Sequence, residues 1–170
     1  MRSSFVMMKI GIISDTHLTS LDEASDLALF LMAGPFADVD AVLHAGDMVI
    51  PELLHCFHPL PCYAVQGNMD GAVAGIPQKR VIGFAGKRIG LIHGWGPRSG
   101  LEKRILREFS GKQIDCLVYG HSHYPVCKQQ GELLLFNPGS PVDRRSAPSH
   151  TVGILTIDND GIRGEIVELD

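Results

Sequence analysis

The chain has 170 residues, of which 45% are hydrophobic and 20% charged, with a formal net charge of −4. That length supports one globular domain with a sizeable core, and the apolar content excludes a disordered or fibrous polypeptide. The acidic balance, with no Lys/Arg run longer than two, leaves no electrostatic footprint for nucleic acid. No apolar stretch reaches the roughly 18–20 residues that cross a bilayer.

Four cysteines (Cys56, Cys62, Cys116, Cys127) show no CxxC spacing. They read as buried or half-buried thiols of a reducing, cytoplasmic compartment. The stretch before Met8 holds too few apolar residues for a secretory signal. Residues 1–7 are expected to form a short extension to a single domain spanning 1–170, with Met8 as an alternative start.

Lys9 to Ser14 is a compact apolar strand that delivers Asp15-Thr16-His17 at its end. Ser20 and Glu23 then make a capping box. Leu21, Ala24, Leu27, Ala28 and Leu31 recur with helical period until Gly34-Pro35 stops the helix. Asp40 to Ala45 is a second buried strand ending in Gly46-Asp47. Pro51 suits the first turn of a short helix through Phe57. Pro61 to Gln66, a third strand, ends in Gly67-Asn68-Met69-Asp70.

Lys79 to Phe84 and Lys87 to Ile92 flank Ala85-Gly86 as a hairpin, and the second strand runs into His93-Gly94-Trp95-Gly96. A further helix is predicted from a second capping box, Ser99 and Glu102. Its buried face is Leu101, Ile105, Leu106 and Phe109, and Gly111 closes it. Asp115 to Tyr119 is an apolar strand leading through Gly120 to His121-Ser122-His123. In an extended segment those two imidazoles would point to the same side. Val126 to Gln129 pairs with Glu132 to Phe136 across Gln130-Gly131. Thr151 to Ile157 pairs with Ile162 to Leu169 across Asp158-Asn159-Asp160-Gly161. Early βα units followed by hairpins predict an α/β fold of two packed sheets, with helices on the outer faces.

Each of five strand-like runs therefore stops at a residue able to bind metal. Ligands in open α/β sheets sit beyond the carboxyl ends of strands. The candidates are Asp15, His17, Asp47, Asn68, His93, His121 and His123, all oxygen or nitrogen donors. With no cysteine among them, a catalytic cluster of Mn²⁺, Fe, Zn²⁺ or Ni²⁺ is expected rather than a structural zinc knot. Seven side chains exceed what one ion needs, so two ions are expected, with one carboxylate bridging. Two divalent ions against Asp15 and Asp47 leave about +1 once a bridging hydroxide is counted, a charge suited to a phosphate anion.

Asp15-x-His17, Gly46-Asp47, Gly67-Asn68-x-Asp70, His93 and Gly120-His121-x-His123 occur in the order found in calcineurin-like metallophosphoesterases. With Asn137-Pro138-Gly139-Ser140 and the short length, the chain resembles the small single-domain YfcE-type phosphodiesterase branch, from about Lys9 to Leu169. The resemblance implies a four-layer α/β/β/α sandwich of two mixed sheets around a dinuclear centre, probed most naturally with Mn²⁺. It assigns Asp15, His17, Asp47 and His123 to one metal, and Asn68, His93, His121 and the bridging Asp47 to the other. Asp47, Asn68 and His93 are the expected catalytic residues, and a metal-bridging hydroxide the expected nucleophile. A small phosphoester substrate is implied, without membrane or nucleic acid; a homo-oligomer stays open.

Two positions depart from the wider family. Met69 stands where a His commonly follows the Asn, so the usual acid for the leaving group is absent. That points to diesters with good leaving groups rather than simple monoesters. Trp95, the sole tryptophan, replaces a second His in a His-Gly-His run; it either packs its loop or stacks on an aromatic ligand. His44 reads as structural or supporting, and His55, His58 and His150 as surface. Asp70 is expected to pair with a basic group. Arg144 and Arg145 belong to a solvated loop or clamp phosphate. The rival readings are a phosphomonoesterase or nucleotidase, and a non-catalytic scaffold of the retromer-subunit kind.

Overall fold

In a computed structural model, residues 7–170 are described; the N-terminal extension expected over residues 1–7 lies outside them except for Met7. Two five-stranded mixed sheets face each other. The first has the order β10-β9-β1-β2-β3, from β1 (Met8–Ile13), β2 (Ala41–His44), β3 (Cys62–Ala64), β9 (Thr151–Asp158) and β10 (Gly161–Glu168). The second has the order β4-β5-β6-β8-β7, from β4 (Lys79–Phe84), β5 (Lys87–Ile92), β6 (Cys116–Val118), β7 (Val126–Gln130) and β8 (Leu133–Asn137). Within each sheet three strands run parallel, β1/β2/β3 and β5/β6/β8, and antiparallel neighbours complete it.

Side-chain alternation decides which face goes where. From β1, Ile10 and Ile12 join Leu43, Ile89, Leu91, Val118, Phe136 and Leu155 in the core between the sheets. Ile13 and Val42 turn outward, under α1 (Leu21–Ala33) and the 3-10 helix Pro51–Phe57. Leu117 and Leu135 turn outward on the other sheet, beneath α2 (Leu101–Glu108). Three apolar layers thus hold four layers of structure, the α/β/β/α arrangement expected.

The predicted capping box of α1 is present, Ser20 Oγ accepting from Glu23 N–H while the Glu23 carboxylate accepts from Ser20 N–H. That of α2 is not. Its N-cap is Gly100 in the left-handed region at φ 75°, without a side-chain cap. Glu102 is drawn away instead, accepting from Tyr119 O–H at 2.9 Å and from Lys128 Nζ at 2.6 Å. One thiol also departs from expectation: Cys127 is exposed, whereas Cys116 is buried and Cys56 and Cys62 are half-buried. Strand ends fall one or two residues inside several predicted limits, the ordinary uncertainty of such boundaries.

Phe136 shows how closely the two sheets approach. Its ring lies on bare backbone: a Cβ at Gly153 would sit 2.3 Å from Phe136 Cε1, and one at Gly164 2.6 Å from Cδ2. No other residue type fits there without displacing the ring. Replacing Phe136 by Ala should therefore cost about 3–5 kcal/mol in urea unfolding; a loss under about 1 kcal/mol would show that this contact does not hold the sheets together.

Candidate metal centre

The candidate residues follow the carboxyl ends of the parallel strands. Asp15 and His17 follow β1, Asp47 follows β2, Asn68 follows β3, His93 follows β5, and His121 and His123 follow β6. All seven converge on one site. The backbone there is not extended: Asp15, His17, Asp47, His121 and His123 all have positive φ, between 45° and 70°. Non-glycine residues rarely adopt this conformation, and it clusters where surrounding structure enforces it. The expectation that His121 and His123 share one side of an extended segment is therefore corrected. Each sits in a left-handed turn, and the two rings face different neighbours.

Hydrogen bonds across the strand ends hold those turns. Asp15 N–H donates to Gly46 O at 2.9 Å and His17 N–H to Asp47 O at 3.0 Å, tying the ends of β1 and β2 together. Two glycines permit the close approach. A Cβ at Gly67 would lie 2.1 Å from Asp47 Oδ1, and one at Gly120 would lie 1.9 Å from Ser14 Oγ.

Each carboxylate is tethered by one oxygen. Asp15 Oδ2 accepts from Ser14 O–H at 2.6 Å and from His121 N–H at 3.0 Å. Asp47 Oδ1 accepts from Met69 N–H at 2.8 Å. The other oxygen of each faces the imidazoles. Asp15 Oδ1 is 3.3 Å from His123 Nε2, 3.8 Å from His93 Nε2 and 3.9 Å from His17 Nε2. Asp47 Oδ2 is 3.3 Å from His93 Nε2 and 3.7 Å from His17 Nε2. Asn68 Oδ1 stands between His93 Nε2 at 3.1 Å and His121 Nδ1 at 3.2 Å.

The second nitrogen of three rings is occupied by a backbone carbonyl. His93 Nδ1 pairs with Ala45 O, His121 Nε2 with Gly96 O and His123 Nδ1 with Asp143 O. Such bonds fix the tautomer and orient the remaining nitrogen for a metal. Asp15 Oδ1 is the buried side-chain polar atom left without a hydrogen-bond partner among the described residues. Leaving a buried carboxylate oxygen bare is costly, and a cation would satisfy it. Two donor groups, Asp15/His17/His123 and Asp15/Asp47/His93, are compact enough to hold an ion each.

Electrostatics agree. Burial works to raise the Asp15 pKa, yet His123, His93 and the Ser14 hydroxyl outweigh it and keep the group below its ordinary value. Burial likewise opposes charge on His93 and His123, but the Asp47 and Asp15 carboxylates hold His93 above its ordinary value and Asp15 does the same for His123. The site attracts positive charge, whether protons or metal ions.

Several supporting residues escape sequence reasoning. Among the described residues Asp70 has no basic partner; it accepts three backbone N–H groups, from Asp47 and Gly67 at 2.8 Å and from Val49 at 2.7 Å. It caps the two ligand loops, and its position three residues after Gly67 in a turn was the available signal. Ser140 O–H donates to Asp15 O, and Asn137 Nδ2 donates to Gly120 O, so the Asn137–Ser140 stretch clasps both ligand turns from behind. His44 is fully buried against Thr16 Oγ1 at 2.9 Å, a supporting role as expected. Arg144 bonds the Ala147 and Pro148 carbonyls, and Arg145 lies 3.8 Å from Asp143. Met69 is 58% exposed and supplies only its backbone. Trp95 is 44% exposed and lines a cavity beside the centre.

The chain belongs to the calcineurin-like phosphoesterase superfamily, whose domain it matches over residues 8–160. It is a metallophosphoesterase, a hydrolase whose family implies divalent metal ions. It is 39% identical over 168 residues to a protein named "Probable metallophosphoesterase" from Methanothermobacter thermautotrophicus, covering 94% of this chain and 92% of that one. It is 31% identical to the phosphodiesterase YfcE of Escherichia coli, covering 91% and 89%. A solved archaeal phosphodiesterase has 26% identity and a TM-score of 0.68, covering 94% of this chain and 100% of that one.

Two tests follow from the loops and the buried histidine. Asp70→Ala leaves three backbone donors without their carboxylate and should cost about 3 kcal/mol or more; full retention of stability and metal uptake would remove its capping role. Burial lowers the His44 pKa from 6.5 to about 4. The unfolded chain therefore binds the extra proton first, so this contribution is complete above about pH 6.5 and shrinks as pH falls toward 4. The loss should reach about 3 kcal/mol across that window. Urea unfolding of metal-free protein, wild type against His44→Gln, isolates it; identical pH profiles would contradict it.

Proposed function

We propose that this chain is a phosphodiesterase acting through a pair of divalent metal ions, working as one domain in the cytoplasm. The carrying observation is the pair of carboxylate oxygens, Asp15 Oδ1 and Asp47 Oδ2, facing the imidazoles of His17, His93 and His123, with Asn68 Oδ1 and His121 adjoining His93. Asp15, His17 and His123 would hold one ion, and Asn68, His93 and His121 the other. The proximity of Asp47 Oδ2 to both His17 and His93 supports it as the bridge. Oxygen and nitrogen donors with two carboxylates suit Mn²⁺ well, and Ni²⁺, Zn²⁺ or Fe also fit. When bound, the ions supply Lewis acidity and a water acidified toward neutral pH.

The protein's own part is positioning. The carbonyl-anchored rings keep one nitrogen each aimed inward, and the tethered carboxylates cannot rotate away. Asn68 and His93 line the adjoining cavity, and Asp47 Oδ2 lies 3.3 Å from His93 Nε2; we assign these three the catalytic contacts with the phosphoryl group. No proton donor stands at Met69, so the leaving oxygen departs without help from that position. This favours esters of acidic alcohols, and the phosphodiesterase names of relatives support the diester over the monoester. Free thiols at all four cysteines support a reducing compartment.

Bis(p-nitrophenyl) phosphate should be cleaved on addition of Mn²⁺, with kcat/KM at least about tenfold above that for p-nitrophenyl phosphate. Asp47→Asn should lower kcat about a hundredfold or more. Full metal loading without metal-dependent turnover of either ester would sink this reading, and a higher rate on the monoester would favour a phosphomonoesterase.

A further inference from the structure

The cavity that Trp95 lines measures about 470 Å³, within the range of about 300–1,000 Å³ common for small-molecule sites. Asn68 and His93 belong to its wall, so it opens directly onto the proposed metal pair. Its remaining wall has a particular chemistry. Gln66 and Gln78 line it, residues whose side-chain amides can each donate and accept. Lys79 and Glu108 also line it, but they neutralise each other across 2.6 Å. The subsite thus carries an exposed indole and two amide-bearing residues; its Lys79 and Glu108 pair with each other, and its remaining carboxylate, Asp70, is taken up by three backbone N–H groups.

The loop bearing Trp95 is held from below. Arg104 donates to the Trp95 carbonyl at 2.9 Å, to the Ser99 carbonyl at 3.0 Å and to the Pro97 carbonyl. Gly96 O is bonded by His121 Nε2 at 2.7 Å, which couples the loop to a candidate metal ligand. Gly94 and Gly96, with φ of 100° and 78°, make the turns on either side of the tryptophan. An exposed indole on an anchored backbone loses little freedom when a ring stacks on it.

We propose that this cavity is the subsite for the organic arm of the substrate, and that it takes a nucleobase, with the indole of Trp95 stacking on the base and Gln66 and Gln78 bonding its edge. The substrate class is then a nucleotide phosphodiester. A planar heteroaromatic ring with donors and acceptors on its rim matches the indole and the two amides at once. An alkyl arm would leave the amides unused; a sugar can meet both the indole and the amides, and titration with base-free ribose 5-phosphate separates it from a nucleobase. This rests on the phosphodiesterase reading for the site but can fail separately from it.

Trp95 is the sole tryptophan, so its fluorescence reports on the subsite directly. Mn²⁺-loaded protein is titrated with adenosine 5′-monophosphate and, in parallel, with ribose 5-phosphate, which has the same phosphate and sugar but no base. Excitation at the red edge keeps adenine from competing for light. A saturable fluorescence change is expected with the nucleotide alone. By calorimetry, Trp95→Ala should weaken nucleotide binding relative to ribose 5-phosphate about tenfold, the scale of one base stack. Trp95→Phe should recover most of that ratio. Equal affinity for the two probes, an unchanged ratio in Trp95→Ala, or binding of neither probe would overturn the subsite. Absence of metal-dependent ester hydrolysis would overturn the phosphodiesterase reading instead, and the binding ratio remains readable in that case.

Discussion

Two buried carboxylates, each with one oxygen held by donors and the other turned toward imidazoles, are the constraint around which the molecule is arranged. Asp15 and Asp47 lie at 0% and 2% exposure, where an unpaired charge is expensive. The fold meets part of that cost with donors on one side of each carboxyl, the Ser14 hydroxyl and His121 amide for Asp15, and the Met69 amide for Asp47. It leaves the other side to imidazoles and a cation. A protein selected only for stability would be expected to fill such a position with apolar side chains. Keeping it polar and bare is the mark of a site that must bind something.

The backbone is bent to the same end. Left-handed residues at five ligand positions and close contacts at Gly67 and Gly120 bring strand ends from two separate sheets to one point. The apolar core between the sheets makes this affordable, because it fixes where β1, β2, β5 and β6 terminate relative to one another. Behind the ligands, Asp70, Asn137 and Ser140 tie the turns to their neighbours. The same economy extends to the adjoining cavity, where the bond from His121 to Gly96 O links metal ligand and Trp95 loop in one network.

Much of this was legible from residue order. Short apolar runs such as Lys9–Ser14 and Asp115–Tyr119 mark buried parallel strands, and the polar residue after each is where a ligand must stand. The α1 capping box could be read from Ser20 and Glu23 because a cap is a local matter of three residues. The same pattern at Ser99 and Glu102 misled, because distant residues, Tyr119 and Lys128, take the glutamate. Asp70 was misread for a related reason: a carboxylate that accepts only backbone amides leaves no partner in the sequence to point to it. Arg104 grips three carbonyls of the Trp95 loop, a contact that spacing alone does not reveal.

The account rests on two ions sharing this arrangement, and anomalous scattering from crystals grown with Mn²⁺ tests it most directly. Two peaks are expected. One should lie among Asp15 Oδ1, His17 Nε2 and His123 Nε2, the other among His93 Nε2, Asn68 Oδ1 and His121 Nδ1, with Asp47 Oδ2 reaching both. A single peak, or peaks from which Asp15 Oδ1 and Asp47 Oδ2 stand apart, would contradict it.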